Sequence, residues 1–199
     1  NKAKLKEEIL PAIIQWMEEK RYPFSFNTEV SINLVDDEEL MNLMVKAGFD
    51  TVFIGIETPN EKSLVECAKF QNTNRNLLES VKKIQRYGFQ VQGGFIVGFD
   101  NDTPSIFERQ VNFIQRSGIV TAMVGVLGVL PKTRLYQRLK KENRLLKTTS
   151  GDNTDCSVNF IPKMETETLI NGYKRILETI YSPKNYYERI KTFLKNYNL

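Results

Sequence analysis

The chain contains no histidine and only two cysteines among its 199 residues. The absence of histidine excludes a Ser-His or Cys-His nucleophile built within this chain, and it removes the commonest zinc ligand. The cysteines, Cys67 and Cys156, lie far apart and match neither a disulfide framework nor a metal-binding spacing. Chemistry carried by these residues would therefore rest on carboxylates, lysine or tyrosine, and we predict no metal ligand in this sequence.

Long apolar runs are also absent. No stretch approaches the roughly 20 apolar residues that span a bilayer, and no signal-peptide pattern is present at the start. The net charge is only +4, from 28 basic and 24 acidic residues that are interspersed, so charge does not indicate nucleic-acid binding. With 41% hydrophobic residues, the composition predicts one globular domain with a small additional module, and we expect a reducing, cytoplasmic setting.

The most informative stretch is Gly93 to Asp100, GGFIVGFD. Its short apolar run, Phe95 to Val97, predicts a strand that is covered on both faces, as in a parallel sheet. The glycines Gly93, Gly94 and Gly98 remove side chains where another backbone or a flat ligand comes close. Tight packing of strands explains these glycines as well, and the GxGxxG spacing of a dinucleotide site is absent.

A strand–helix unit is repeated along the chain. Helices end in glycine followed by an aromatic residue or isoleucine, and a strand follows each time, at Gly48-Phe49, Gly88-Phe89 and Gly118-Ile119. The predicted strands cover 24–31, 51–56, 91–98 and 122–130, and the predicted helices cover 5–20, 36–46, 74–86, 104–116 and 134–142. This alternation predicts an α/β fold with a parallel sheet. About four units predict a partial (β/α) barrel, because a complete one needs about 250 residues, with an open doubly wound sheet as the alternative.

The character of the sequence changes after Arg144. A polar segment, 148–155, predicts a loop, and a short extended piece at 159–162 and two helices at about 165–181 and 183–197 follow it. We therefore divide the chain into a barrel portion, 1–144, and a C-terminal helical extension, 145–199.

Two carboxylates stand at predicted strand ends. In parallel β/α folds, ligands bind at the carboxyl ends of the strands, where Glu29 and Glu57 would share one opening. Glu57 ends a strand that has no other charge, so it needs a partner near the core. A ligand amine, a ribose hydroxyl or a neighbouring lysine or arginine would each serve.

Several motifs together resemble the radical S-adenosylmethionine superfamily of iron–sulfur oxidoreductases. They are FIGIETP at 53–59, KFQN at 69–72, GGFIVGFDND at 93–102, LPKTRLYQRL at 130–139 and SGDNTD…NFIPKM at 150–164. The resemblance runs through nearly the whole chain. It is greatest to bacterial members with an N-terminal cobalamin-binding domain and a C-terminal extension of undefined function.

The resemblance implies a partial barrel that uses S-adenosylmethionine and a [4Fe-4S] cluster to produce a 5′-deoxyadenosyl radical. It implies that Glu57 and Thr58 contact the methionine or ribose part of S-adenosylmethionine, with Glu29 as a further candidate on the preceding strand. The backbone of the GGFIVG strand would lie along the adenine, and Leu130 would close over it. The implied contacts on that strand are Gly93, Gly94, Phe95, Ile96 and Gly98.

The motif that would hold the cluster is missing. The three cysteines of CxxxCxxC occur nowhere in this sequence, and the strand-two motif that holds the methionine amine is absent as well. We therefore interpret the chain as the C-terminal part of a longer enzyme, with the cluster ligands, and a cobalamin domain where one is used, outside it. Such a fragment would be inactive alone. Its parent would act on a small-molecule or lipid-like substrate, for example by methyl transfer.

Two other functions remain open from the residues alone. The chain could serve as a non-catalytic scaffold or interaction module, or it could be an unrelated β/α enzyme that uses Glu29 and Glu57 as an acid–base pair. In each case the first strand, 24–31, would have an unpaired edge. Because exposed edges pair with other chains, we predict self-association.

Overall fold

The computed structural model describes residues 2–146 and 158–197. The predicted polar loop at 148–155 and the thiol of Cys156 lie outside the described residues. Within the described residues, none of the helices combines the length and the apolar character needed to cross a bilayer.

Four parallel strands form a single sheet in the order β1-β2-β3-β4. They are β1 (Phe26–Val30), β2 (Phe49–Glu57), β3 (Gln90–Val97) and β4 (Ala122–Val126). Each neighbouring pair is parallel, so helical connections carry the chain back between strands. The α/β prediction is confirmed, with about four strand–helix units of a partial (β/α) barrel.

Most helices begin and end close to the predicted residues. In chain order they are α1 (Lys2–Lys4), α2 (Leu10–Glu19), α3 (Glu38–Lys46), α4 (Glu61–Glu66), α5 (Leu77–Arg86), α6 (Ser105–Ser117), α7 (Arg134–Lys141), α8 (Thr166–Ile180) and α9 (Pro183–Asn196). A π-helical segment, Leu5–Ile9, joins α1 to α2. Pro11 lies in the first turn of α2, directly after the π-helical segment. The sequence pattern does not predict the short α4 or the 3-10 segment Phe70–Asn72 that follows it.

The repeated glycines end helices as predicted. Gly48, Gly88 and Gly118 have φ angles of 94°, 100° and 72°, in the left-handed region that closes a helix before a strand. β4 is shorter than predicted and ends at Val126. The residues beyond it leave the sheet because they join a second apolar cluster, formed by Phe99, Leu127, Val129, Leu139 and Phe160.

In the described residues, α3, α5, α6 and α8 pack on one face of the sheet. The other face of the GGFIVG strand is half-buried, with Ile96 packed against a cluster that includes Leu139 of α7, so the predicted cover on both faces is complete on one face and partial on the other. Alternate side chains along β2 and β3 are buried and pack with residues of α3, α5, α6 and α8. The buried side chains on this outer face are Val52, Ile54, Ile56, Val91, Phe95 and Val97. The residues between them are half-buried and face the other side, which we call the inner face. A doubly wound sheet carries helices on both faces, so one covered face fits a barrel wall.

The C-terminal helices pack on the outer side of this wall. α8 lies against α6 and β4, and α9 lies against α6 and α5. A Cβ at Gly172 of α8 would lie 2.2 Å from the ring of Phe107 in α6, so this helix contact requires glycine. Arg189 of α9 is buried and donates to the carbonyl oxygens of Val120 and Ile180. The extension and the strands therefore share one core.

Candidate functional site

A cleft of about 370 Å³ lies on the inner face, at the carboxyl ends of β1 and β2. Glu29 pairs with Phe53 in the β1–β2 register, so the two strands present their inner-face side chains together. Glu29 and Glu57 therefore lie on one opening, as the strand topology predicts. The lining residues are Glu29, Val30, Ser31, Phe53, Gly55, Glu57, Lys69 and Gln71.

Glu57 and Lys69 form an ion pair in this cleft. Lys69 Nζ donates to Glu57 Oε1 at 2.7 Å, and the Lys69 and Glu57 side chains are 28% and 17% exposed. Of the partners that the sequence allows for Glu57, the structure shows a neighbouring lysine. Because both groups face the cleft and keep some contact with solvent, each is also accessible to a polar ligand.

The backbone at Glu57 is strained. Its φ angle is +66°, a conformation that costs a residue with a side chain about 1–3 kcal/mol. The register with β3 shifts between Gly55 and Glu57, so β2 bends at its end. Thr58 supports this bend, because it is fully buried and its Oγ1 accepts the Asn60 N–H at 3.2 Å. Strain of this kind concentrates at ligand sites, where the surrounding structure holds it.

Three glycines lie on the inner face of the sheet near the ion pair, and side chains cover two of them, with Phe53 over Gly94 and the ion pair over Gly55. Gly55 and Gly94 pair across β2 and β3, and Gly125 pairs with Ile96 across β3 and β4. A Cβ at Gly55 would lie 2.6 Å from the Oε1 atom of Glu57, so glycine makes room for the ion pair. At Gly125, no described atom lies within 4 Å of such a Cβ. Sequence analysis singles out Gly94 but misses the two other glycines, which lie on neighbouring strands.

Two residues that the resemblance places on the cofactor point away from this surface. Phe95 is buried on the outer face, and its ring centroid lies 5.9 Å from that of Phe113 in an edge-on arrangement. Gly93 has the same orientation, since a Cβ there would lie 2.7 Å from the Phe95 ring. Only the backbone of these two residues is left for a ligand on the inner face. Ile96 does face inward, next to the second apolar cluster.

Asp102 joins the loops that follow β2 and β3. Its Oδ2 accepts the N–H groups of Gly98 and Phe99 at 3.0 and 3.1 Å. Its Oδ1 accepts from Ser63 Oγ at 2.8 Å and from Asn60 Nδ2 at 3.3 Å. Burial raises the pKa of Asp102, and these four donors act in the opposite direction. Sequence analysis does not single out Asp102, although it lies in the polar turn that follows the GGFIVG strand.

Leu130 is 53% exposed beyond the end of β4. Val129, which precedes it, is held by Asn159, whose Oδ1 accepts the Val129 N–H at 3.0 Å and whose Nδ2 donates to Val129 O at 2.9 Å. The NFIP segment therefore fixes the loop at the end of β4. Leu130 does not line the cleft at Glu57, so the structure does not bring these two residues together.

Asp100 anchors the residues after β4 to the end of β3. Its carboxylate accepts from Arg138 Nη1 at 2.8 Å and from Arg144 Nη1 and Nη2 at 2.9 and 2.6 Å. Hydrogen bonding by Arg144 lowers the pKa of Asp100 below its usual value. Glu66 also accepts from Arg138 and from the Asp100 N–H. These carboxylates are held by arginines of the chain itself, which gives them a structural role.

The described residues suit one part of the implied cofactor set. The adjacent carboxylate and ammonium of the cleft match the amine and carboxylate of an amino acid, and the open space above Gly125 suits a flat ring. An iron–sulfur cluster needs several thiolates close together. Residues 2–146 and 158–197 contain no group of three or more His, Cys, Asp or Glu that could hold a metal ion, so they do not fit the cluster.

Two family models match separate parts of the chain. The model described as "Radical SAM superfamily" matches residues 5–114, which include the strands β1, β2 and β3 and both members of the ion pair. The model described as "Domain of unknown function (DUF4070)" matches residues 133–199, which include α8 and α9.

Three curated relatives are named as methylating enzymes. An uncharacterized methyltransferase of Synechocystis sp. is 44% identical over 189 residues, which are 94% of this chain and 35% of that protein. The hopanoid C-2 methylase of Rhodopseudomonas palustris is 32% identical over 177 residues, 89% of this chain and 33% of that protein. The bacteriochlorophyllide d C-12(1)-methyltransferase of Chlorobaculum tepidum is 25% identical over 157 residues, 78% of this chain and 34% of that protein. The chain thus spans about a third of the length of these relatives.

The family match covers more than half of the chain, from residue 5 to residue 114. It agrees with the parallel strands of the sheet and with the motifs that carry the sequence resemblance. The chain therefore belongs to the radical SAM superfamily.

Proposed function

We propose that the inner-face cleft forms the methionine and nucleoside side of the S-adenosylmethionine site in a radical SAM methyltransferase. The observation that carries this proposal is the Glu57–Lys69 ion pair, which lies over Gly55 at the carboxyl end of β2 and faces the cleft. Ligands of β/α barrels bind at this end of the strands. The alternative of an unrelated enzyme loses support, because the family match includes both Glu29 and Glu57.

The ion pair offers a group for each charge of the methionine part. The Lys69 ammonium has three donors and would bind the methionine carboxylate, while the Glu57 carboxylate would accept from the methionine amine or a ribose hydroxyl. Binding would exchange one contact within the protein for two charge-assisted contacts with the ligand. Glu29 lines the same cleft and is available to a further donor of the ligand.

The sheet surface beside the ion pair would receive the adenosine part. Phe53 and the ion pair cover Gly94 and Gly55, so the open part of this surface lies above Gly125, which pairs with Ile96. A flat ring can approach the peptide backbone closely where no side chain intervenes. Ile96 would add an apolar contact, and Asp102 is a positioning residue, because it joins the loops that follow β2 and β3 at the carboxyl end of the sheet.

In this superfamily, S-adenosylmethionine supplies a 5′-deoxyadenosyl radical. The residues of this chain would bind the molecule, orient it and shield one side of it from water. The cluster ligands, and cobalamin as a carrier of the methyl group, belong in this proposal to other parts of a longer protein.

We also propose that the complete protein methylates a small, lipid-like molecule. The support is the names of two relatives, a hopanoid methylase and a bacteriochlorophyllide methyltransferase. Because this chain spans about a third of those relatives, residues that select the substrate are expected largely outside the cleft described above.

The variant Lys69→Gln tests the cofactor proposal. We expect the affinity of the 199-residue chain for S-adenosylmethionine, measured by isothermal titration calorimetry, to fall about tenfold or more. The reason is that a hydrogen bond to a charged group contributes about 1.5–3 kcal/mol. The matched control is Lys62→Gln, which removes an exposed lysine of α4 outside the cleft and should bind as the wild type does.

A second ligand separates the two parts of the site. 5′-Deoxyadenosine has no amino-acid part, so Lys69→Gln and the wild type should bind it equally well. The variant Gly125→Val fills the open space on the sheet and should weaken both ligands. If S-adenosylmethionine does not bind the wild type, or binds Lys69→Gln as tightly as the wild type, the proposed site is wrong.

A further inference from the structure

A second pocket lies on the helix-covered side of the sheet, between α5 and α6. Its volume is about 470 Å³, which is within the range of small-molecule sites. Three arginines line it, Arg75, Arg109 and Arg116, against a single acid, Glu61. The pocket is separate from the inner-face cleft, and its lining includes the last residues of the FIGIETP and KFQN motifs, Pro59 and Asn72.

Two of the three arginines are available to a ligand. Arg75 is engaged with Asp36 through two hydrogen bonds of 2.9 and 2.6 Å. Arg109 donates one N–H, from Nη2, to the carbonyl oxygen of Pro59 at 2.8 Å, which leaves its other donors free for a ligand. Among the described residues, Arg116 has no hydrogen bond or ion pair. Arg109 and Arg116 are seven residues apart on α6, so they lie on the same side of the helix.

The other walls of the pocket add donors and an apolar surface. α5 begins here at Leu77, where Asn76 Oδ1 caps the Glu79 N–H at 3.2 Å and the N–H groups of Leu77 and Leu78 have no acceptor within the helix. Asn72 is only 1% exposed, and its Nδ2 donates to the carbonyl oxygens of Gly55 and Ile56. Its Oδ1 has no hydrogen-bond partner. This oxygen is itself buried, so Asn72 belongs to the wall of the pocket and not to its accessible polar surface.

We propose that this pocket binds a phosphorylated small molecule that also carries hydroxyl or amino groups. The phosphate would lie between Arg109 and Arg116, whose guanidinium groups match phosphate oxygens in charge and geometry. A hydroxyl or amino group would lie beside the exposed amide of Asn112, and the body of the ligand would rest on Leu78 and Phe113. Glu61 is turned to the protein, because its Oε1 accepts the Asn74 N–H at 2.7 Å.

This pocket shares walls with the end of β2. Arg109 holds Pro59, and Asn72 holds the carbonyl oxygens of the two residues that precede Glu57. A ligand that contacts Arg109 therefore touches a side chain that holds this strand end in place. The proposal itself does not depend on S-adenosylmethionine, because the two sites use different residues.

Calorimetric titration of the 199-residue chain with ribose 5-phosphate tests the proposal. We expect ribose 5-phosphate to bind, ribose not to bind, and inorganic phosphate to bind more weakly than the sugar phosphate. Arg116→Gln should weaken binding of ribose 5-phosphate about tenfold, as expected for the loss of a charge-assisted hydrogen bond. Asn112→Asp places a negative charge on the exposed rim of the pocket. Because this charge repels the phosphate, the variant should also bind ribose 5-phosphate more weakly than the wild type does. Arg134→Gln, an exposed arginine of α7, is the matched control and should bind as the wild type does.

Three results would overturn the assignment. They are no binding of ribose 5-phosphate at millimolar concentration, unchanged binding in both Arg116→Gln and Asn112→Asp, and binding of inorganic phosphate as tight as that of the sugar phosphate. Both substituted positions are exposed on α6, so the variants are expected to fold, and a thermal melt of each variant checks this.

Discussion

The loops at the ends of β2 and β3 depend on one buried carboxylate, and the variant Asp102→Ala tests this. The change removes the acceptor of two backbone N–H groups, those of Gly98 and Phe99, and of the Ser63 hydroxyl. Asp102 is only 7% exposed, so water does not readily replace the lost oxygens. A buried donor left without an acceptor costs about 1–3 kcal/mol. We therefore expect the free energy of unfolding to fall by about 3–5 kcal/mol. This lies in the lower part of the summed cost of the three donors, because the loop relaxes partly around the missing carboxylate.

Urea unfolding followed by circular dichroism measures this loss. A domain of this size loses about 2–4 °C in melting temperature for each kcal/mol, so a thermal melt should shift by roughly 6–20 °C. Asp102→Asn keeps one acceptor oxygen and should lose less than Asp102→Ala does. The matched control Asp50→Ala removes an exposed aspartate whose carboxylate bonds to the Thr51 hydroxyl, and it should change stability by less than about 0.5 kcal/mol. A loss below about 1 kcal/mol for Asp102→Ala would refute the reasoning, because even a single unsatisfied donor costs that much.

Two further predictions concern the charge network and the sheet edge. Hydrogen bonding by Arg144 lowers the pKa of Asp100 in the folded state. The stabilisation that this ion pair gives the fold is therefore complete above the unfolded-state pKa of aspartate, near 4, and is lost as the pH falls through the folded-state pKa. We therefore expect the difference in unfolding free energy between the wild type and Asp100→Asn to be largest near neutral pH and to shrink below about pH 4. A difference that is as large below about pH 4 as near neutral pH would contradict this. The edge of β1 predicts self-association that grows with protein concentration, and light scattering that shows a clean monomer would exclude it.

The alternation of strands and helices could be predicted because each unit carries its own local signals. Glycines that follow amphipathic helices mark where a strand begins, and Gly48 and Gly118 have the left-handed conformation that this role requires. The orientation of the GGFIVG strand could not be predicted in the same way. Two glycines and the continuous run Phe95 to Val97 hide the alternation of faces, so the sequence does not show that Phe95 points toward the helices.

The local sequence pattern does not show which residue pairs with Glu57. Lys69 follows the short helix α4, whose six residues are too few for a periodic signal, and its only mark in the sequence is the KFQN motif. Strand topology does predict that Glu29 and Glu57 meet, because parallel strands bring their carboxyl ends to one edge. Which cation reaches Glu57 depends on the path of an irregular segment, and such paths are set by tertiary contacts.

The C-terminal extension has a structural consequence for the sheet. The Tyr181 hydroxyl donates to Ala122 O at 2.9 Å and accepts the Ala122 N–H at 3.2 Å. Arg189 donates to Val120 O just before β4, and Asn159 binds both backbone groups of Val129 beyond it. Side chains of the extension thus satisfy backbone groups before, at and after β4, the last strand of the described sheet. An edge with some of its polar groups already bonded is a poorer template for another strand, so we expect any added strand, including one from a second copy, to pair with β1 before β4.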